Sequence, residues 1–182
     1  MCGEQRRVRF QSEGPLHPVN LDMSLTASAD GLGFGDAKED RFAARLADPF
    51  RSSANAHTLA STGATGGDLW GQRARWVAAT CTAASEWLAT VGILEDPRSA
   101  GHPTRWHLRP YGLVAANPFA NGAFPKVPWD DEPATVGRHG SVRLRHRTVV
   151  APAALSFAEV GGLWAEYARS GTLPPDADSL LP

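Results

Sequence analysis

From Leu21 to Ser28 apolar and polar residues alternate without a break, with Leu21, Met23, Leu25 and Ala27 on one parity and Asp22, Ser24, Thr26 and Ser28 on the other. Successive side chains of an extended chain point to opposite faces, so this pattern describes a strand half-buried on a sheet. Asp30-Gly31 follows as a turn signal. The alternation returns near the C-terminus, where Val142, Leu144 and His146 share one face of Val142–Val150 and Arg143, Arg145 and Arg147 share the other. Between them, Arg75–Cys81 and Trp87–Leu94 form the strongest hairpin in the chain. Its second strand is apolar on both faces, which predicts a place inside a sandwich, covered from both sides.

Phe42–Leu46 fits a short helix almost as well as a strand, and Pro49 ends it either way. Arg51–Gly67 is built of Ser, Thr, Ala, Gly and Asn with few anchors and predicts a surface loop. Asn117–Pro133 holds four prolines and predicts a long, stiffened loop. Only the C-terminal end reads as a helix. Ser156-Phe-Ala-Glu159 is a capping box, Phe157, Val160, Trp164 and Tyr167 follow at helical spacing beside Leu163, and Gly171 supplies a stop. Many short strands with one late helix predict a mainly β, antiparallel sandwich. One domain over residues 1–173 and a flexible tail over 174–182 are expected.

At 182 residues the chain is long enough for one domain that buries roughly 70% of its unfolded surface. A net charge of −1 provides no global field toward nucleic acid or an anionic membrane. Two cysteines, Cys2 and Cys81, exclude a disulfide framework and fit a reducing, cytoplasmic compartment. The first ten residues have no apolar run that would serve as a secretory signal. Trp76–Leu94 has one formal charge, Glu86, over a length that would span a bilayer, but Thr82–Glu86 interrupts it. Two strands and a turn account for it, and no membrane association is expected. Gly63–Gly71 lacks the Gly-Lys-Ser/Thr ending of a phosphate loop, and no Gly-x-Ser-x-Gly elbow occurs. His102 and His107 are not at a recognised metal-ligand spacing, so no metal and no cofactor are expected.

His102–Phe119 concentrates two His, two Arg, a Trp, a Tyr and an Asn before turning apolar. If Arg105–Tyr111 is extended, Arg105, His107, Arg109 and Tyr111 line one face and Trp106 and Leu108 the other. A row of donors and rings is costly to bury without partners, so it suits a solvated cleft for a polar ligand.

Three blocks, Phe34–Glu39, Gly71–Trp76 and His102–Phe119, make the chain resemble the PmoA-like family, often labelled methane oxygenase PmoA. The Val142–Val150 strand and the final helix follow in the expected order. The resemblance implies a sandwich similar to galactose mutarotase-like, carbohydrate-processing folds, with this chain as the C-terminal part of the family domain. It does not imply methane oxidation, for which a membrane-embedded protein would be needed.

Each candidate residue has a structural reading beside the functional one. His102 and His107 suit proton transfer, or are framework histidines. Arg105 and Arg109 suit a bidentate fork onto sugar hydroxyls or a carboxylate, or pair with Asp36, Glu39 or Asp96. Asp36, Lys38 and Glu39 supply a clamp and a general base, or form a plain surface turn. Trp76 and Trp106 lean toward the core and Tyr111 toward stacking on a ligand. Asn117, before Pro118, is a turn former first and a ligand contact second. Arg138, Arg143, Arg145 and Arg147 lack interleaved aromatics, so a solvated face is expected there, not a nucleic-acid surface.

The expected function is binding of, or acid–base chemistry on, a sugar or sugar derivative. His102, His107 and Glu39 would be catalytic, and Asp36, Lys38, Arg105, Arg109, Tyr111 and Asn117 would hold substrate. A non-catalytic module and an inactive fragment are the alternatives, the latter prone to self-association through exposed sheet edges.

Overall fold

Two antiparallel sheets face each other across an apolar interlayer. The computed structural model describes residues 2–28, 30–35, 42–51, 56–82, 88–120, 124 and 134–170. Eleven strands are present among them: β1 Cys2–Phe10, β2 His17–Ala27, β3 Leu32–Phe34, β4 Phe42–Arg45, β5 His57–Ala60, β6 Trp76–Thr82, β7 Leu88–Glu95, β8 Arg105–Arg109, β9 Leu113–Asn117, β10 Ala134–Val136 and β11 Ser141–Ala151. One helix, α1, spans Phe157–Ser170. The large sheet has six strands in the order β1-β2-β11-β7-β6-β5, the small sheet three in the order β4-β9-β8, and β10 pairs with β3 as a separate ribbon. The mainly β sandwich with a C-terminal helix is the architecture that the alternating segments predict.

The alternation accounts for the two layers. On the small sheet Phe42, Ala116 and Trp106 lie in one cross-strand row, and Ala44, Val114 and Leu108 in the next. All six belong to one apolar cluster with Ala60, Val77 and Ile93 of the large sheet. Opposed residues of a ladder share a face, so this parity turns inward on the small sheet and Arg105, His107 and Arg109 turn outward. Trp106 is fully buried, with its indole N–H donating to Ala74 O at 2.8 Å. A second cluster joins Met23, Leu25, Val142 and Leu144 to Phe34 and Phe119. The last two rings stack 4.0 Å apart.

The helix covers part of the outer face of the large sheet, setting Val160 and Tyr167 against Trp76, Ala78, Leu94 and Val149. Full burial of each large apolar side chain contributes about 1.5–3 kcal/mol, enough to dock a helix of this length. Its start is the expected capping box. Ser156 N donates to Glu159 Oε2 at 2.7 Å, and Glu159 N donates to Ser156 Oγ at 3.3 Å. Those bonds hold the Glu159 carboxyl below the ordinary range.

Three segments depart from the expectations. β1 carries no clear alternation, because it is an edge strand exposed on both faces, with Val8 46% and Phe10 77% accessible. β5 lies inside the stretch expected to be loop. The β6 ladder defines it, pairing Leu59 with Ala78 and Ala60 with Val77, and backbone hydrogen bonds leave no trace in side-chain composition. The ambiguous Phe42–Leu46 segment is a strand through Arg45, since pairing with β9 satisfies its backbone. The proposed stop at Gly171 and the tail over 174–182 lie outside the described residues, as does most of 117–133.

Candidate functional site

β8, the edge strand of the small sheet, pairs along its free edge with the segment that precedes β6. Gly71 N donates to Trp106 O at 2.8 Å, Trp106 N to Gln72 O at 3.0 Å and Ala74 N to Thr104 O at 3.1 Å. This pairing extends the small sheet by a short irregular edge and carries Trp70 over β8. Trp70 lies 6.4 Å from the His107 ring, and the Arg109 guanidinium sits 5.5 Å from the Trp70 centroid. Phe124 meets Trp70 edge-on, at 5.7 Å and 84°. Gly71 permits this approach. Its φ is +80°, and a Cβ there would stand 2.8 Å from the Phe124 Cβ.

A cleft of about 850 Å³ opens beside these rings, bounded by Asp68, Trp70, Gln72, Arg73, Arg105 and Phe124. The guanidinium groups in its wall are anchored by main chain. Arg105 Nη1 donates to Gly71 O at 3.0 Å, and Arg73 Nη1 donates to Pro103 O at 2.9 Å and Gly101 O at 3.2 Å. Such anchoring presets the orientation of each planar group before a ligand arrives.

Between the sheets lies a second polar group, reached through the loop that Arg73 holds. Glu95, buried at the end of β7, accepts from His102 Nδ1 at 2.8 Å and from Thr104 N at 2.9 Å on one oxygen, Oε2. Burial pushes the Glu95 carboxyl above its ordinary range, opposed by those two hydrogen bonds and by the charges of His102 and Arg73. His146 stands opposite Glu95 in the β11–β7 ladder and stacks on Phe42 at 4.4 Å. Its ring nitrogens and Thr104 Oγ1 have no hydrogen-bond partner among the described residues. Complete burial lowers the His146 imidazole to about 3, helped by the charge of His102, so it is neutral in the fold.

The sequence-derived candidates therefore fall into separate places. Arg105 borders the cleft, and His107 and Arg109 adjoin it through Trp70. His102 does not join His107. It faces Glu95, with its ring parallel to that of Trp164 at 6.4 Å. Tyr111 leaves the row because β8 ends at Arg109 and a turn closes through Gly112 N to Arg109 O. Its exposed ring instead lies 4.4 Å from the Arg45 guanidinium. Asn117 is buried, and its Oδ1 accepts from Phe119 N and Ala120 N, both at 3.1 Å, which shapes the turn after β9. Trp76 and Trp106 are core residues. Asp36, Lys38 and Glu39 lie outside the described residues.

Trp70, Arg73, Glu95 and His146 have no place among the sequence-derived site residues. Glu95-Asp96 closing an otherwise apolar strand is the signal that points to a buried carboxylate. No group of three or more His, Cys, Asp or Glu suited to a metal occurs among the described residues. No helix among them is long and apolar enough to cross a membrane.

Residues 1–165 match the profile of DUF6807, a family of unknown function, and the chain belongs to that family. This corrects the resemblance to the PmoA-like family, to which no match is found. The blocks that suggested it are short runs rich in Gly, charged residues and aromatics, residue types that turns and strand ends call for in unrelated folds. No curated protein and no solved structure matches the chain.

Proposed function

We propose that this protein binds a small polyhydroxylated ligand of the carbohydrate class in the cleft beside β8. The observation that carries the reading is the composition of the cleft wall. An indole and a phenyl ring stand nearly perpendicular within about 850 Å³, flanked by Asp68, Gln72, Arg73 and Arg105. A sugar ring has one apolar face that packs on an aromatic plane, and an equator of hydroxyls that carboxylate, amide and guanidinium groups recognise. Binding without turnover fits better than catalysis. The described lining includes no histidine, and the Glu95–His102 pair does not border the cleft.

Calorimetric titration with a panel of neutral sugars and uronic acids tests this reading. Saturable binding is expected, weakened tenfold or more by Trp70→Ala, a loss of at least about 1.4 kcal/mol. Absence of binding across the panel at millimolar concentrations, or affinity unchanged in Trp70→Ala, would overturn it.

A further inference from the structure

We propose a second site, for an anion, on the outer face of the large sheet beside the end of α1, where Arg9 and Arg147 flank Asn20 and receive a phosphate or carboxylate group. Cross-strand register builds it. Arg9 of β1, Asn20 of β2 and Arg147 of β11 form one row, and Arg7, Asp22 and Arg145 form the next. Opposed positions share a face, so both rows project to the same side of the sheet. A cavity of about 180 Å³ lies over them, walled on the helix side by Tyr167.

The charges within it do not cancel. Asp22 is already neutralised by Arg143, whose Nε lies 2.6 Å from Oδ1 and whose Nη2 donates to Oδ2. Asp96 is held in the same two-pronged way by Arg98, at 2.7 and 2.9 Å. Neither Arg143 nor Arg98 borders the cavity. Arg145 stands between the two carboxylates, 3.3 Å from Asp22 Oδ2 and 3.8 Å from Asp96 Oδ2. Leaving Arg7 aside, five guanidinium groups (Arg9, Arg98, Arg143, Arg145 and Arg147) therefore meet two carboxylates among the described residues. The half-charge of about −0.5 at a helix C-terminus does not reverse that excess.

Two of the five are left for a ligand. Arg147 uses Nε on Asn20 Oδ1 at 2.7 Å and rests 4.7 Å from the Tyr167 ring, and its Nη edge has no carboxylate partner among the described residues. Asn20 is itself fixed, with Nδ2 donating to Gln11 Oε1 at 2.5 Å. Arg9 makes no ion pair among the described residues. A fixed amide, an oriented guanidinium edge and a second guanidinium form a fork that suits an oxyanion. The buried Tyr167 phenol, kept protonated by desolvation, adds a donor at the wall. This cavity is separate from the β8 cleft, and neither proposal depends on the other.

The test is titration with inorganic phosphate and, separately, with succinate, at constant ionic strength maintained with chloride. It is followed by calorimetry and by NMR shifts of the arginine Nε–H groups. Saturable binding of either anion is expected, reduced tenfold or more in Arg147→Gln and severalfold in Arg9→Gln, with Arg138→Gln unchanged. The stronger ligand identifies the natural group as phosphate or carboxylate. If Arg147→Gln is unfolded by circular dichroism, Arg9→Gln, on an exposed edge strand, decides alone. An effect no larger than that of chloride, or an equal loss in Arg138→Gln, overturns the site.

Discussion

His146 shows how one buried residue sets the pH response of a fold. Its folded pKa of about 3 lies below the ordinary 6.5, so folding favours the neutral ring. That stabilisation is complete above about pH 6.5 and is lost as pH falls toward 3, at about 1.4 kcal/mol per pH unit. Glu95, raised by burial, works in the opposite sense, contributing below its ordinary range and losing that contribution as pH rises. His146→Phe keeps a ring against Phe42 and removes the titration. Urea unfolding at a series of pH values between 6.5 and 4 should therefore show a flatter decline than wild type; parallel curves would contradict the assignment. Gly71 is the other decisive position. Gly71→Ala would force a side chain into φ +80° and into Phe124, at a cost of about 1–3 kcal/mol seen in the denaturation midpoint. It should also weaken ligand binding in the cleft, because Phe124 must move. An unchanged midpoint would show that the ring yields freely.

At the scale of elements, the helix offers the cleanest test of local design. Ser156→Ala removes the cap acceptor and should lower the melting temperature by about 2–4 °C, measured by circular dichroism. No shift would mean that docking on Trp76 and Leu94 alone holds the first turn. Elements of this kind were legible in the residues. The capping box announced α1, the alternations announced β2 and β11, and two apolar runs joined by a short turn announced the β6–β7 hairpin. The alternation around Trp106 also separated inward from outward positions on β8 as far as Arg109. What eluded such reading depends on partners distant in sequence. β5 exists because β6 pairs with it, and β1 because β2 does. Tyr111 left its row because a turn followed, and the Trp70 wall formed because residues 71–74 fold back along β8. His102 meets Glu95 by the path of a loop, which no spacing rule encodes.

Across the whole molecule, burial is uneven, and opening should follow it. β1 is exposed along nearly its full length, whereas β7 and β11 are sandwiched between neighbouring strands, the second sheet and the helix. Amide hydrogen exchange should be fastest in Arg6–Phe10 and slowest in Val91–Leu94 and Arg145–Val149, since local opening tracks the surface that an element buries. Uniform protection would place β1 within the cooperative unit. Glu95 ties the layers of this unequal structure together. Its amide donates to Arg75 O, its carbonyl accepts from the Trp164 indole, and its carboxylate holds His102 and the Thr104 amide. Helix, sheet and loop thus share one rivet. The helix packed on one face of the large sheet and the loop that meets the other are bonded to the same residue.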